Sequence, residues 1–151
     1  MRLTKPWMLA LGTFALAAFY LVDKTRAQTA EQPSRWPARL DAMAAAPNSH
    51  RVLLENERVR VLEVVVKPGE REPVHAHGWP SLMFITHPAK LRYIPAIVLG
   101  NDVQLGAEEI VAAGPKPTGT AIPRWLPPEG PHAVVNIDTT EYRALRIELK
   151  Q

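Results

Sequence analysis

Cysteine is absent from all 151 residues. No disulfide can staple this chain, and no N-terminal Cys can carry a lipid anchor. Stability must come from packing, with a bound metal as the remaining aid. A long hydrophobic run is missing too. The apolar stretch at 7–22 has 16 residues, short of the ~20 that a spanning helix needs. Arg2 and Lys5 precede it, and Thr25-Arg26-Ala27 follows with small residues where a signal peptidase reads. Residues 1–27 are therefore expected to be a secretory signal peptide, with an uncleaved anchor as its rival. Export to the periplasm or the medium follows, with no membrane contact after cleavage.

Charge of one sign is lacking in the remainder. Removing 1–27 takes away Arg2, Lys5, Lys24, Arg26 and Asp23, so 18 basic and 15 acidic residues become 14 and 14. A neutral body without a Lys/Arg cluster lacks the electrostatic footprint that phosphate backbones require, which excludes nucleic acid as partner. Repeats and low-complexity segments are absent as well. The expected partner is a small-molecule ligand or substrate.

What is present is a β pattern punctuated by 15 prolines. Residues 28–50 form a polar leader segment, read as a short helix near 38–46 or a linker. From residue 51 to 151 the chain reads as one all-β domain. Strands are expected at 52–54, 59–66, 82–85, 91–99, 109–112, 122–126, 132–137 and 143–149. Pro95 demotes its strand to an edge or a bulge. In 143–149, Leu145, Ile147 and Leu149 share one face while Ala144, Arg146 and Glu148 share the other. Many short strands with Pro/Gly turns point to a sandwich, barrel or jelly roll.

Within this pattern, His75-Ala76-His77 follows the turn Lys67-Pro68-Gly69-Glu70. On an extended backbone both imidazoles face the same way. His132 opens a later strand after Pro127-Pro128-Glu129-Gly130-Pro131 and is the natural third ligand. Gly69, five residues and His75-Ala76-His77 match the first motif of the cupin superfamily in type and spacing. Pro128-Glu129-Gly130-Pro131-His132 with Asn136 matches the second, one residue short between Gly and His. The chain thus resembles a small single-domain cupin over about residues 51–150.

The resemblance implies a cupin-type jelly roll, the double-stranded β-helix. It implies a divalent transition metal (Fe, Ni, Mn, Cu or Zn) on His75, His77 and His132. It implies dimers through exposed strands. The family's acidic ligand position falls on Ser81 or Leu82, and Ser81 is a poor ligand because its hydroxyl does not ionise readily. Three imidazoles leave a coordination position open and the full metal charge unneutralised, which favours an anionic substrate.

Around this centre, Trp79 is read as a pocket wall or a core side chain, and Asn136 as a partner of backbone or of His132. Ser81, Trp79 and Asn136 are the expected pocket residues. Trp125 is expected in the core, His87 in a loop, and His50 on the surface. Glu63 is expected in an outward salt bridge. Two functions remain open: a metal enzyme of oxygenase or isomerase type, and a non-catalytic small-ligand binding cupin without metal.

Overall fold

The computed structural model describes residues 36–150. The expected signal peptide, 1–27, lies outside the described residues, as does the first part of the leader segment. The described part of the leader forms a 3-10 turn, Ala38–Leu40, and a one-turn helix α1, Ala42–Ala45. The Asp41 side chain caps α1 by accepting from the Met43 N–H at 3.0 Å, satisfying one of the donors a helix start leaves free. Leu40, Ala42 and Ala46 are buried, so this segment packs into the domain.

Ten strands follow: β1 His50–Glu55, β2 Val59–Val66, β3 His75–His77, β4 Ser81–His87 and β5 Leu91–Leu99, then β6 Asp102–Leu105, β7 Glu109–Val111, β8 Arg124–Leu126, β9 Glu129–Asn136 and β10 Tyr142–Leu149. They build two antiparallel sheets. One has the order β1-β2-β10-β4-β8; the other runs β3-β9-β5-β6, with β7 paired to β5. This is the mostly β architecture expected, with a short helix ahead of it. The inner faces of both sheets line one cavity.

The turn entering β3 follows from its sequence. The Glu70 N–H donates to the Lys67 carbonyl at 2.9 Å, with Pro68 and Gly69 between them. Gly69 has φ +75°, the left-handed value a type II turn demands at its third position, and Pro68 presets the second. The Gly69 N–H then donates to the Asn136 carbonyl, and the Glu72 N–H to that of Val134. The turn thereby docks the lead-in to β3 against β9. A Cβ at Gly69 would meet nothing within 4 Å, so Gly69→Ala should cost only the backbone strain, about 1 kcal/mol. Chemical denaturation checks this; an unchanged midpoint would contradict it.

Burial alternates along β2 and β10. Arg60, Leu62, Val64 and Val66 point inward from β2, and Tyr142, Ala144, Arg146 and Glu148 from β10. Leu62, Val64, Val66, Ala89, Tyr142 and Ala144 form the core cluster. Glu63 faces outward, as expected, and binds Arg51 at 2.7 Å and Arg143 at 2.9 Å.

Several expectations are corrected. Trp125 is 58% exposed. It continues a row of Leu54, Val61, Ile147 and Leu82 across the five strands, on the face turned away from the cavity. His87 ends β4 and is exposed, and so is not a loop residue. Pro95 lies inside the second sheet, where β5 stops pairing with β9 and begins pairing with β6; its missing N–H falls at that switch. β9 begins at Glu129, because β3 pairs with it from His77↔Glu129 onward.

Candidate metal centre

β3 is buried on both sides, and its two histidines point to one place. In the antiparallel register His75 lies directly opposite His132 of β9. Their ring centroids are 4.4 Å apart, and those of His75 and His77 are 5.2 Å apart. Tyr93 of β5 stacks on His132 at 4.8 Å. The sequence thus places His75, His77 and His132 at one site, and the structure brings all three together.

A fourth imidazole joins them. His50, expected on the surface, is only 2% exposed, because the helical leader folds over the start of β1. One ligating atom from each of His50, His75 and His77 lies within 4.8 Å of the others. The tightest triad is therefore His50/His75/His77, with His132 packed against His75.

Each ring is oriented by an acceptor at Nδ1. These are the Ala46 carbonyl for His50 (3.1 Å), the Pro73 carbonyl for His75 (2.9 Å) and the Gly130 carbonyl for His132 (2.7 Å). The fourth is the Glu148 Oε1 for His77 (2.7 Å). A carbonyl or a carboxylate can only accept, so all four Nδ1 atoms carry the proton and all four Nε2 atoms carry the lone pair. Burial holds the imidazoles neutral. It lowers His50 to about 4 and His75 to about 2, and drives His77 and His132 below their usual range. Neutral, Nδ1-tethered imidazoles are the form that ligates a metal. This donor set fits a divalent transition ion.

Carboxylates surround the rings without appearing in either motif. Glu148 uses its second oxygen to bind Arg60 Nε at 2.6 Å. Arg60 in turn grips both oxygens of Asp41, at 3.0 and 2.8 Å. Glu72 is buried beside His50 at 3.5 Å, and its Oε1 has no hydrogen-bond partner. Burial raises its carboxyl to about 8, so it is protonated at neutral pH.

The cavity measures about 430 Å³. The four histidines, Glu72, Glu129 and Arg146 contribute to its wall. Ser81, Trp79 and Asn136, expected in the pocket, do not line it. Ser81 is fully buried opposite Glu148, between β4 and β10. Trp79 lies under Arg60 and Lys150, at 4.8 and 5.2 Å from its ring. Asn136 bonds backbone: its amide donates to the Val66 and Thr140 carbonyls, and its oxygen accepts from the Asp138 N–H. It therefore ties β2 to the turn after β9 and leaves His132 to Gly130.

No family model matches the chain, and no curated protein does. Similar solved structures include a cupin domain from Bordetella pertussis, 20% identical, covering 68% of this chain and 92% of that one with a TM-score of 0.49. A cupin family protein with a double-stranded β-helix fold from Methanocaldococcus jannaschii is 14% identical over 67% of this chain and 78% of that one, with a TM-score of 0.44. A cupin 2 conserved barrel domain protein from Salinispora arenicola is 18% identical over 65% and 71%, with a TM-score of 0.40.

Proposed function

We propose that this chain is an exported cupin-type jelly-roll protein that holds one divalent transition metal among His50, His75, His77 and His132, beside a pocket for a small molecule. The observation that carries this reading is the tethering of four buried imidazoles through Nδ1, which leaves their Nε2 lone pairs free. Iron, nickel, manganese, copper and zinc all suit the reading, imidazole being a ligand of borderline softness. When bound, the ion supplies Lewis acidity and an open coordination position for a substrate. The chain's own residues do the rest. Glu148 and three carbonyls hold the rings in register, and the buried walls exclude water. Oxygenase or isomerase chemistry belongs to the same proposal, as does a pairing with a second copy of the chain. No described helix is long and apolar enough to cross a membrane, and periplasmic or secreted localisation is proposed from the 1–27 segment.

Metal analysis of the purified protein, followed by titration after chelation, tests the reading. One ion per chain is expected, lost in the double variant His75→Ala/His77→Ala. At an ion concentration one hundredfold above Kd, the fold should gain about 2.7 kcal/mol. A protein that takes up none of the five ions would overturn the proposal.

The non-catalytic reading, a metal-free ligand-binding cupin, has one observation in its favour. The buried Arg146 guanidinium faces the same cavity and opposes a nearby cation. Stabilisation by organic ligands alone, with no response to metal ions, would select that reading.

A further inference from the structure

His50, His75 and His77 form a nearly regular triangle, with ring centroids 4.9, 5.3 and 5.2 Å apart. His132 breaks that symmetry, lying 4.4 Å from His75 but 6.0 Å from His77. The ring of Tyr93 is stacked on it, only 22° from parallel. Among the described residues, the first three alone offer ligand atoms within 4.8 Å of one another. All three line the cavity, and no imidazole nitrogen of the described residues is buried without a partner. With each Nδ1 taken, the Nε2 lone pairs of the triad therefore face the cavity.

His50 is the member of this triad that belongs to neither motif, and it stands at the end of the leader. The Ala46 carbonyl grips it twice, accepting from its backbone N–H at 3.2 Å and from its Nδ1 at 3.1 Å. The rest of β1 is exposed, so this ring is the strand's one buried side chain. The leader reaches the other two ligands as well. Asp41 bridges to Ala76, between His75 and His77. Its carboxylate holds Arg60, Arg60 holds Glu148, and Glu148 orients His77. Asp41 opens α1 and Ala46 closes it. An ion drawing on these three rings is thus connected to both ends of the leader helix.

We infer that His50, His75 and His77 ligate the ion while His132 does not, so that the ion clasps the leader, residues 38–50, onto the sheets. This rests on the proposed metal centre; it names that centre's ligands and what the ion controls. Such coupling is reciprocal: the factor by which the ion favours leader docking is the factor by which docking favours the ion.

Hydrogen exchange of the full protein with and without zinc reads the clasp, and zinc titration reads the ligands. The Ala44, Ala45 and Ala46 amides are bonded within the leader. With zinc they should exchange about tenfold more slowly, beyond any slowing across β5. His50→Ala should weaken zinc binding about 100-fold and abolish that slowing, whereas His132→Ala should preserve both. Asp41→Asn touches no ligand and keeps the cap acceptor but loses the ion pair with Arg60. It should weaken zinc binding about tenfold. Zinc uptake without extra slowing in the leader overturns this inference alone. So does an unchanged zinc affinity in Asp41→Asn, or a loss in His132→Ala as large as in His50→Ala. The exchange comparison on the unaltered protein needs no variant to fold. Failure to take up any of the five ions overturns the metal reading itself, and this inference with it.

Discussion

Acidifying the chelator-treated protein from about pH 6.5 towards pH 4 should unfold it. In the unfolded chain a histidine titrates near 6.5. In the fold, burial lowers His50 to about 4 and His75 to about 2, and drives His77 lower still than its usual value. Over that interval the unfolded chain binds protons that the fold refuses, so stability rises with pH and is lost as pH falls. One such histidine contributes about 1.4 kcal/mol per pH unit. By pH 4, His50 alone costs about 3 kcal/mol and His75 as much again, a large share of the 5–15 kcal/mol that typically holds a domain together.

Glu72 works in the opposite sense. Burial raises it to about 8, so its contribution is complete below its ordinary value near 4.3 and is lost as pH rises through 8. The histidine slope outweighs it below pH 6.5, and Glu72 acts alone among these groups above that. A stability maximum near about pH 6.5 is expected. Urea midpoints from pH 4 to pH 9 in the presence of chelator would show it, and a flat profile below pH 7 would refute it.

Glu148→Ala should cost about 3 kcal/mol of stability. Glu148 is fully buried and serves two partners at once, His77 through one oxygen and Arg60 through the other. Removing it leaves the Arg60 Nε unmet and strips the nearest carboxylate from Arg146 Nε. Breaking one side of a buried ion pair is expensive, because the partner's charge stays where water cannot reach it. Asp41 still holds Arg60, which keeps the loss at the lower end of the usual range. Metal affinity should fall 10- to 100-fold, because the His77 ring loses its tether. Glu148→Gln keeps an acceptor for His77 and should spare most of that affinity. Denaturant midpoints and competition titration with a metal indicator read the two effects separately. A Glu148→Ala protein as stable as the parent would show that Arg60 needs only Asp41.

The β architecture was legible because alternation and Pro/Gly turns carry it. The His75/His77 pair was legible because strand geometry fixes which side chains share a face, and His132 because it too opens a strand after a turn. Alternation does not say which face turns inward. Both faces of β2 and β10 carry large apolar residues, so the inward position of Arg60, Arg146 and Glu148 is decided by the pairing of their charges across strands. His50 was illegible for a different reason: its burial depends on how the leader folds over it, through Ala46. Glu72 stands three residues before His75, out of phase with the strand, with Pro73 intervening. Trp125 carried no warning of its exposure, since the orientation of an isolated three-residue strand follows only from its neighbour β4.

The central position of β10 also bears on the order of events during synthesis. β10 lies between β2 and β4, and no pairing joins those two strands directly. Until residues 142–149 leave the ribosome, both strands carry an unpaired edge, the feature through which nascent chains stick to one another. Arg60 waits 88 residues for Glu148, and contacts of such long range make folding slow. The β1-β2-β10-β4-β8 sheet therefore cannot grow strand by strand from the N-terminus. It closes in one late step, and Glu148, the carboxylate that orients His77, arrives with that step.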